Sequence, residues 1–171
     1  VEHGLRVGYI MLEESLTKSA QALVALHNGV PVGNLAENPT LITQDNWQSG
    51  FDAAVRPAVF YDAWGSTSVD NIISKMRYLA VGEQCDFVVL DHISMVVSAL
   101  DGDERKTLDQ LMTRIRSEVC EQTGAGVLAI THLRRNGTKD SFNEGGQVSV
   151  TDMRGSASIE QLSDLLIAAE R

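Results

Sequence analysis

The chain is short of positive charge and of long apolar runs, and each shortage argues against a class of protein. Its 171 residues carry 14 lysines and arginines against 23 aspartates and glutamates, a net charge of −9. A uniformly basic nucleic-acid binder is therefore disfavoured, and any DNA contact must come from a local patch or from a ring that gathers patches. No apolar run approaches the roughly 20 residues of a membrane span, and we expect no signal peptide at the start of the chain. We expect a soluble, cytoplasmic protein.

Cysteine is also scarce, and the chain has no internal repeat, low-complexity tract or linker. Cys85 and Cys120 lie in or beside apolar segments without metal-ligand spacing, which favours buried free thiols in a reducing compartment. The length and the apolar content of 43% suit one domain with a sizeable core.

Apolar runs and amphipathic stretches alternate along the chain. The runs predict strands at 6–12, 58–62, 87–91, 126–131 and 165–169. The amphipathic stretches predict helices capped by Ser15 and Ser68 and ending near His27 and Gly82, with others at about 47–55, 104–123 and 156–164. This alternation predicts an α/β fold with a mainly parallel sheet flanked by helices.

The third predicted strand, at 87–91, carries the strongest single signal. Four apolar residues run straight into Asp91, which is typical of a strand buried on both faces of a parallel sheet. Asp91 then lies at the carboxyl edge, where open α/β sheets bind ligands. A carboxylate there can hold Mg²⁺, directly or through water, beside the phosphates of a nucleotide. On this motif alone, an ordinary loop-capping aspartate is an equally good interpretation.

Two further predicted strands end in a reactive side chain, Glu13 and His132. Because parallel strands share one carboxyl edge, we expect Glu13, Asp91 and His132 to converge. In a nucleoside triphosphatase Asp91 suits the metal, Glu13 can accept a proton from water, and His132 can donate to a phosphate oxygen. Alternatively, Glu13 favours the first turn of the following helix and His132 is a hydrogen-bonded structural residue. We interpret His92 as structural.

The stretch Leu133–Ser149 is long for an ordinary connection and rich in glycine, asparagine and charged residues, which is typical of a functional loop. Arg134, Arg135 and Lys139 give it three cations that suit the phosphates of single-stranded nucleic acid. On these residues alone a solvated surface loop is the better interpretation, because the loop is also acidic.

Six short motifs occur in the same order as in one known family. They are Met11–Ser15, Leu90–Ser94 with Val96–Ser98 after it, Asp103–Lys106, Thr131–Leu133, Ser149–Ser156 and Gln161–Asp164. They resemble the RecA-like helicase domain of phage primase–helicases, which is related to the mitochondrial helicase Twinkle and to bacterial DnaB. The resemblance covers nearly the whole chain and is weakest from about Val30 to Pro57.

The resemblance implies a RecA-like P-loop NTPase core in a homo-hexameric ring. Such a ring hydrolyses ATP or dTTP with Mg²⁺, moves along single-stranded DNA and separates the duplex, with no membrane partner, in a bacterial or phage-infected cell. By position, Glu13 matches the catalytic glutamate, Asp91 the Walker B aspartate and His132 the phosphate-sensing residue.

The resemblance also implies roles for the rest of the chain's carboxyl-terminal third. Arg134, Arg135 and Lys139 fall in the loop that faces DNA in the central channel. Arg154 and Gln161 fall in the segment that couples this loop to the nucleotide site.

Two family features are missing from the sequence. It contains no G-x-x-x-x-G-K-[ST], the loop that holds the β- and γ-phosphates, which would precede Val1. The arginine finger, worth about 10³–10⁵ in rate, would follow Arg171. We therefore expect residues 1–171 to be one partial RecA-like helicase domain, truncated at both ends and nearly inactive alone.

Two alternatives stay open. One is a RecA-type recombinase or related RecA-fold ATPase, which is disfavoured by His132, where recombinases usually carry glutamine, and by Asp152–Ser156. The other is a non-catalytic module for oligomerisation or DNA contact.

Overall fold

Four parallel strands form one sheet in the order β2-β1-β3-β4. A computed structural model describes residues 4–62, 68–97, 103–132 and 157–168. The strands are β1 (Val7–Met11), β2 (Val59–Asp62), β3 (Phe87–Asp91) and β4 (Gly126–Ala129). The predicted α/β fold with a parallel sheet is confirmed.

The helices of the described residues follow the strands and flank the sheet. They are α1 (Leu16–His27), α2 (Val32–Glu37), α3 (Gln44–Gly50), α4 (Val69–Arg77), α5 (Ile93–Val97), α6 (Glu104–Arg114) and α7 (Ala157–Leu162). Three of them, α3, α4 and α6, continue into wider π-helical turns at Phe51–Val55, Tyr78–Gly82 and Ile115–Glu121. None of the helices in these ranges is both long enough and apolar enough to cross a membrane.

Side-chain caps determine where two of the helices begin, as the sequence predicts. The Ser15 hydroxyl accepts a hydrogen bond from the Lys18 amide at 3.4 Å, at the start of α1. The Ser68 hydroxyl accepts one from the Asn71 amide at 3.2 Å, at the start of α4. Each cap satisfies one of the amides that a helix N-terminus otherwise leaves unpaired.

One face of the sheet, here called the covered face, packs against α4 and α6. Gly8 lies on this face so close to the helices that an added Cβ would lie 3.0 Å from Leu79 Cδ1 and 3.2 Å from Cys85 Sγ. Cys85 is buried and Cys120 is partly buried, and burial raises the pKa of both thiols. The side chains that fill this face include Ile10, Leu12, Val88 and Leu90 from the sheet and Ile72, Met76, Leu111 and Ile115 from the helices.

The other face, here called the open face, is covered less completely. Tyr9 stacks on Phe60 with ring centroids 5.1 Å apart, next to a smaller core that α1, α2 and α3 supply. On β3 and β4 the side chains of Phe87 and Leu128 are 44% and 54% exposed. The prediction that β3 is buried on both faces is therefore wrong, because buried and more exposed residues alternate along it.

Three segments differ from the sequence-based expectation. The helix predicted near 47–55 is confirmed as α3 and its continuation, but α2 with the 3₁₀ turn at Pro39–Leu41, and the short helix α5, are not among the predicted elements. The strand predicted at 165–169 is wrong over its described part, 165–168, which forms no strand. An apolar run becomes a strand only where a neighbouring strand offers hydrogen bonds, and Leu165 and Ile167 are 75% and 79% exposed instead.

Candidate functional site

The carboxyl edge of the sheet brings three strand ends together. Met11 pairs with Asp91 in the register of β1 and β3. Backbone hydrogen bonds continue past the strands, from the Leu12 amide to the Asp91 carbonyl at 2.7 Å and from the Ile130 amide to the Leu90 carbonyl at 3.0 Å. Because β1, β3 and β4 stay in register to their ends, the residues that follow them emerge at one edge.

Glu13, His92 and His132 meet at this edge. Glu13 Oε2 lies 3.2 Å from His92 Nε2 and 3.8 Å from His132 Nε2. The two imidazole rings meet nearly edge to face, with centroids 4.2 Å apart and an interplanar angle of 67°. The His92 side chain is 6% exposed, whereas Glu13 and His132 are 53% and 56% exposed, so solvent or a ligand can reach these two.

Asp91 is half-buried at the end of β3, and its electrostatic neighbours are the same three residues. Burial raises the pKa of the Asp91 carboxyl above its usual range, and the charge of Glu13 acts in the same direction, while His92 and His132 oppose it. A divalent cation would relieve both the desolvation of Asp91 and the repulsion from Glu13. The oxygen donor of Asp91 therefore fits the Mg²⁺ ion that the sequence predicts here.

His92 is a residue of this edge that the sequence analysis does not place in the site. Its burial agrees with the structural interpretation, but its imidazole also contacts the carboxylate of Glu13. The peptide bond that joins it to Asp91 is cis. Its position directly after Asp91, at the end of the strand, was the available signal.

Of the other predicted site residues, only Gln161 lies in the described part of the chain, and it is not part of this cluster. Arg134, Arg135, Lys139 and Arg154 lie outside the described residues. Gln161 is exposed on α7, a helix whose buried Ile159 is part of the core of the covered face. The DNA-binding and coupling roles of these five residues stay predictions.

Comparison with solved structures defines the class of fold. An ATPase domain and a DnaB-like replicative helicase, the latter solved to show its interactions with primase, each superpose with a TM-score of 0.72 at 15% identity. Each match covers 95% of this chain, and 58% and 39% of those chains respectively. The fold is RecA-like, with a mainly parallel sheet flanked by helices.

Sequence comparison defines the family within that class. The family model of the DnaB-like helicase C-terminal domain matches residues 1–171. The DNA helicase/primase of Enterobacteria phage T3 is 38% identical over 172 residues, which is 98% of this chain and 30% of that protein. The chain thus spans less than a third of the length of this relative. It belongs to the DnaB-like helicase C-terminal domain family.

Proposed function

We propose that this chain forms part of the NTP-driven motor of a replicative DNA helicase, as one partial RecA-like domain. The motor couples NTP hydrolysis to movement on single-stranded DNA and to separation of the duplex. The observation that carries the proposal is the meeting of Glu13 with His132 beside Asp91, at the sheet edge where such folds bind ligands.

In this proposal each residue at the edge has its own task. Glu13, half-exposed and oriented by His92, accepts the proton of the attacking water. Asp91 would hold Mg²⁺, which would supply positive charge beside the phosphates. His132 donates to an oxygen of the terminal phosphate, and the chain that follows it moves when that phosphate leaves.

The substrates and partners follow from the same proposal. The nucleotide is ATP or dTTP, and the acting form is a homo-hexamer in the cytoplasm of a bacterial or phage-infected cell. Arg134, Arg135 and Lys139 bind single-stranded DNA, and Arg154 and Gln161 couple that contact to the nucleotide site. Since the chain carries a net charge of −9, these few cations must supply the DNA contact locally.

A chimaera tests the function directly. The matching segment of the phage T3 helicase/primase is replaced by this chain, and the T3 protein itself is the reference. We expect NTP hydrolysis that single-stranded DNA stimulates, and unwinding of a forked duplex. Hydrolysis without unwinding would favour a recombinase-type ATPase. An assembled chimaera with neither activity would contradict the motor and favour the non-catalytic alternative.

Glu13→Gln in the same chimaera tests the proposed base. Glutamine keeps the shape of the side chain and cannot accept the proton, so we expect hydrolysis to fall by about 10²–10⁴-fold while NTP binding persists. The matched control is Glu14→Gln, one residue further along the chain, and it should leave hydrolysis near the reference value. Unchanged turnover in the Glu13→Gln variant would refute the role.

A further inference from the structure

We propose that Glu13, His92 and His132 form a binding site for a transition-metal ion of the zinc type, distinct from the Mg²⁺ position at Asp91. The three side chains can each offer one ligand atom, and these atoms all lie within 4.8 Å of one another.

Two of the three distances between ligand atoms are close to those that zinc requires, and the third lies below 4.8 Å. With metal–ligand bonds near 2.0–2.1 Å, two ligand atoms of a tetrahedral site lie about 3.3 Å apart. Glu13 Oε2 is 3.2 Å from His92 Nε2 and 3.8 Å from His132 Nε2. Small rotations of Glu13 and His132, which are both more than half exposed, would complete the triangle.

The donor atoms decide which metal the site takes. Two imidazoles and one carboxylate are the protein ligands of open zinc sites, in which a fourth position is left for water. Mg²⁺ prefers oxygen ligands and gives up its water reluctantly, so it gains little from imidazole nitrogen. The cluster therefore selects a zinc-type ion over the far more abundant magnesium.

The fold holds the cluster in place before any ion arrives. Each ligand follows a different strand, and the strand ends are tied by backbone hydrogen bonds, including that from the Ile93 amide to the Ile130 carbonyl at 2.9 Å. Buried His92 supplies a fixed ligand, while exposed Glu13 and His132 leave an entry path. Little ordering entropy then opposes binding.

Occupancy of this site has a consequence that rests on the proposed function. A metal ion bound to the Glu13 carboxylate takes the lone pairs that would otherwise accept a proton from water. Zinc-type ions would then inhibit hydrolysis by a route that excess Mg²⁺ does not reverse.

The test measures metal binding to the full 171-residue chain, without nucleotide, by competition with a chromophoric chelator. We expect one Zn²⁺ per chain at this site, not displaced by excess Mg²⁺. His132→Ala and Glu13→Gln should each weaken binding by at least about tenfold, since even indirect partners of metal ligands are worth 10–100-fold. The matched control is His27→Ala, an exposed histidine in the last turn of α1, which should bind Zn²⁺ unchanged.

Co²⁺ substitution identifies the ligands independently. We expect the visible bands of tetrahedral Co²⁺ without a sulfur-to-metal charge-transfer band. A thiolate spectrum, which would assign the ion to Cys85 or Cys120, would overturn the proposal. Equal Zn²⁺ affinity of the unaltered chain and the His132→Ala variant would overturn it as well. Neither result bears on the chimaera assay, which is run in Mg²⁺ with zinc chelated.

Discussion

The two faces of the sheet are built from the same strands but are packed very differently. On the covered face, alternate residues of β1 and β3 such as Ile10 and Leu90 are fully buried against α4 and α6. On the open face, their neighbours Phe87 and Leu128 keep about half of their surface exposed. From this difference in burial we infer that the covered face supplies most of the hydrophobic stabilisation of the sheet. The candidate site lies at the edge between the two faces, and its position depends mainly on the packing of the covered face.

The largest expected effect on stability comes from truncating a buried side chain on the covered face. Leu90→Ala should lower the free energy of unfolding by about 2–5 kcal/mol, because the fully buried leucine leaves a cavity that α4 and α6 cannot fill. Urea denaturation measures the loss. Leu128→Ala on the open face removes the same atoms from a site that is 54% exposed, and should cost less than half as much. Equal losses would mean that the two faces contribute equally.

A smaller effect is expected from adding atoms to the covered face. Gly8→Val places its Cβ 3.0 Å from Leu79 Cδ1 and 3.2 Å from Cys85 Sγ, where both neighbours are buried. We expect a loss of about 1–3 kcal/mol from overpacking, measured by the same denaturation. An increase in stability would show that α4 and its continuation can move away from the sheet, and the covered face would then be less tightly packed than described.

The smallest effect compares helix caps on the two sides of the sheet. Ser68→Ala removes the cap of α4, a helix that packs on the covered face. It should lower the free energy of unfolding by about 1 kcal/mol. Ser15→Ala removes the longer, 3.4 Å contact at α1, which belongs to the smaller core, and should cost less. Thermal unfolding of both variants measures the difference. A larger loss from Ser15→Ala would reverse the ranking of the two sides.

Much of the fold could be predicted because its signals are local. The apolar runs of β1 to β4 and the hydroxyl caps at Ser15 and Ser68 depend only on nearby residues. The errors concern properties that neighbours decide. Leu165 begins an apolar run that forms no strand in the described residues, and Phe87 lies on a face whose exposure depends on distant helices.

Part of the candidate site could likewise be predicted from the sequence. That Glu13 and His132 emerge at one edge follows from parallel strands, which the alternation of elements predicts. The contact between His92 and Glu13 did not follow, because it depends on the register of β1 and β3 and on which way a single side chain turns. No periodicity in one sequence contains that information.

The amide-to-carbonyl bonds that link Leu12 to Asp91 and Ile130 to Leu90 involve no side-chain atoms. The scaffold beneath the reactive groups is thus independent of their identity. A designer could exchange the acid or imidazole at this rim for other functional groups and keep the same spacing. Such a rim offers a rigid frame on which new chemistry can be installed one residue at a time.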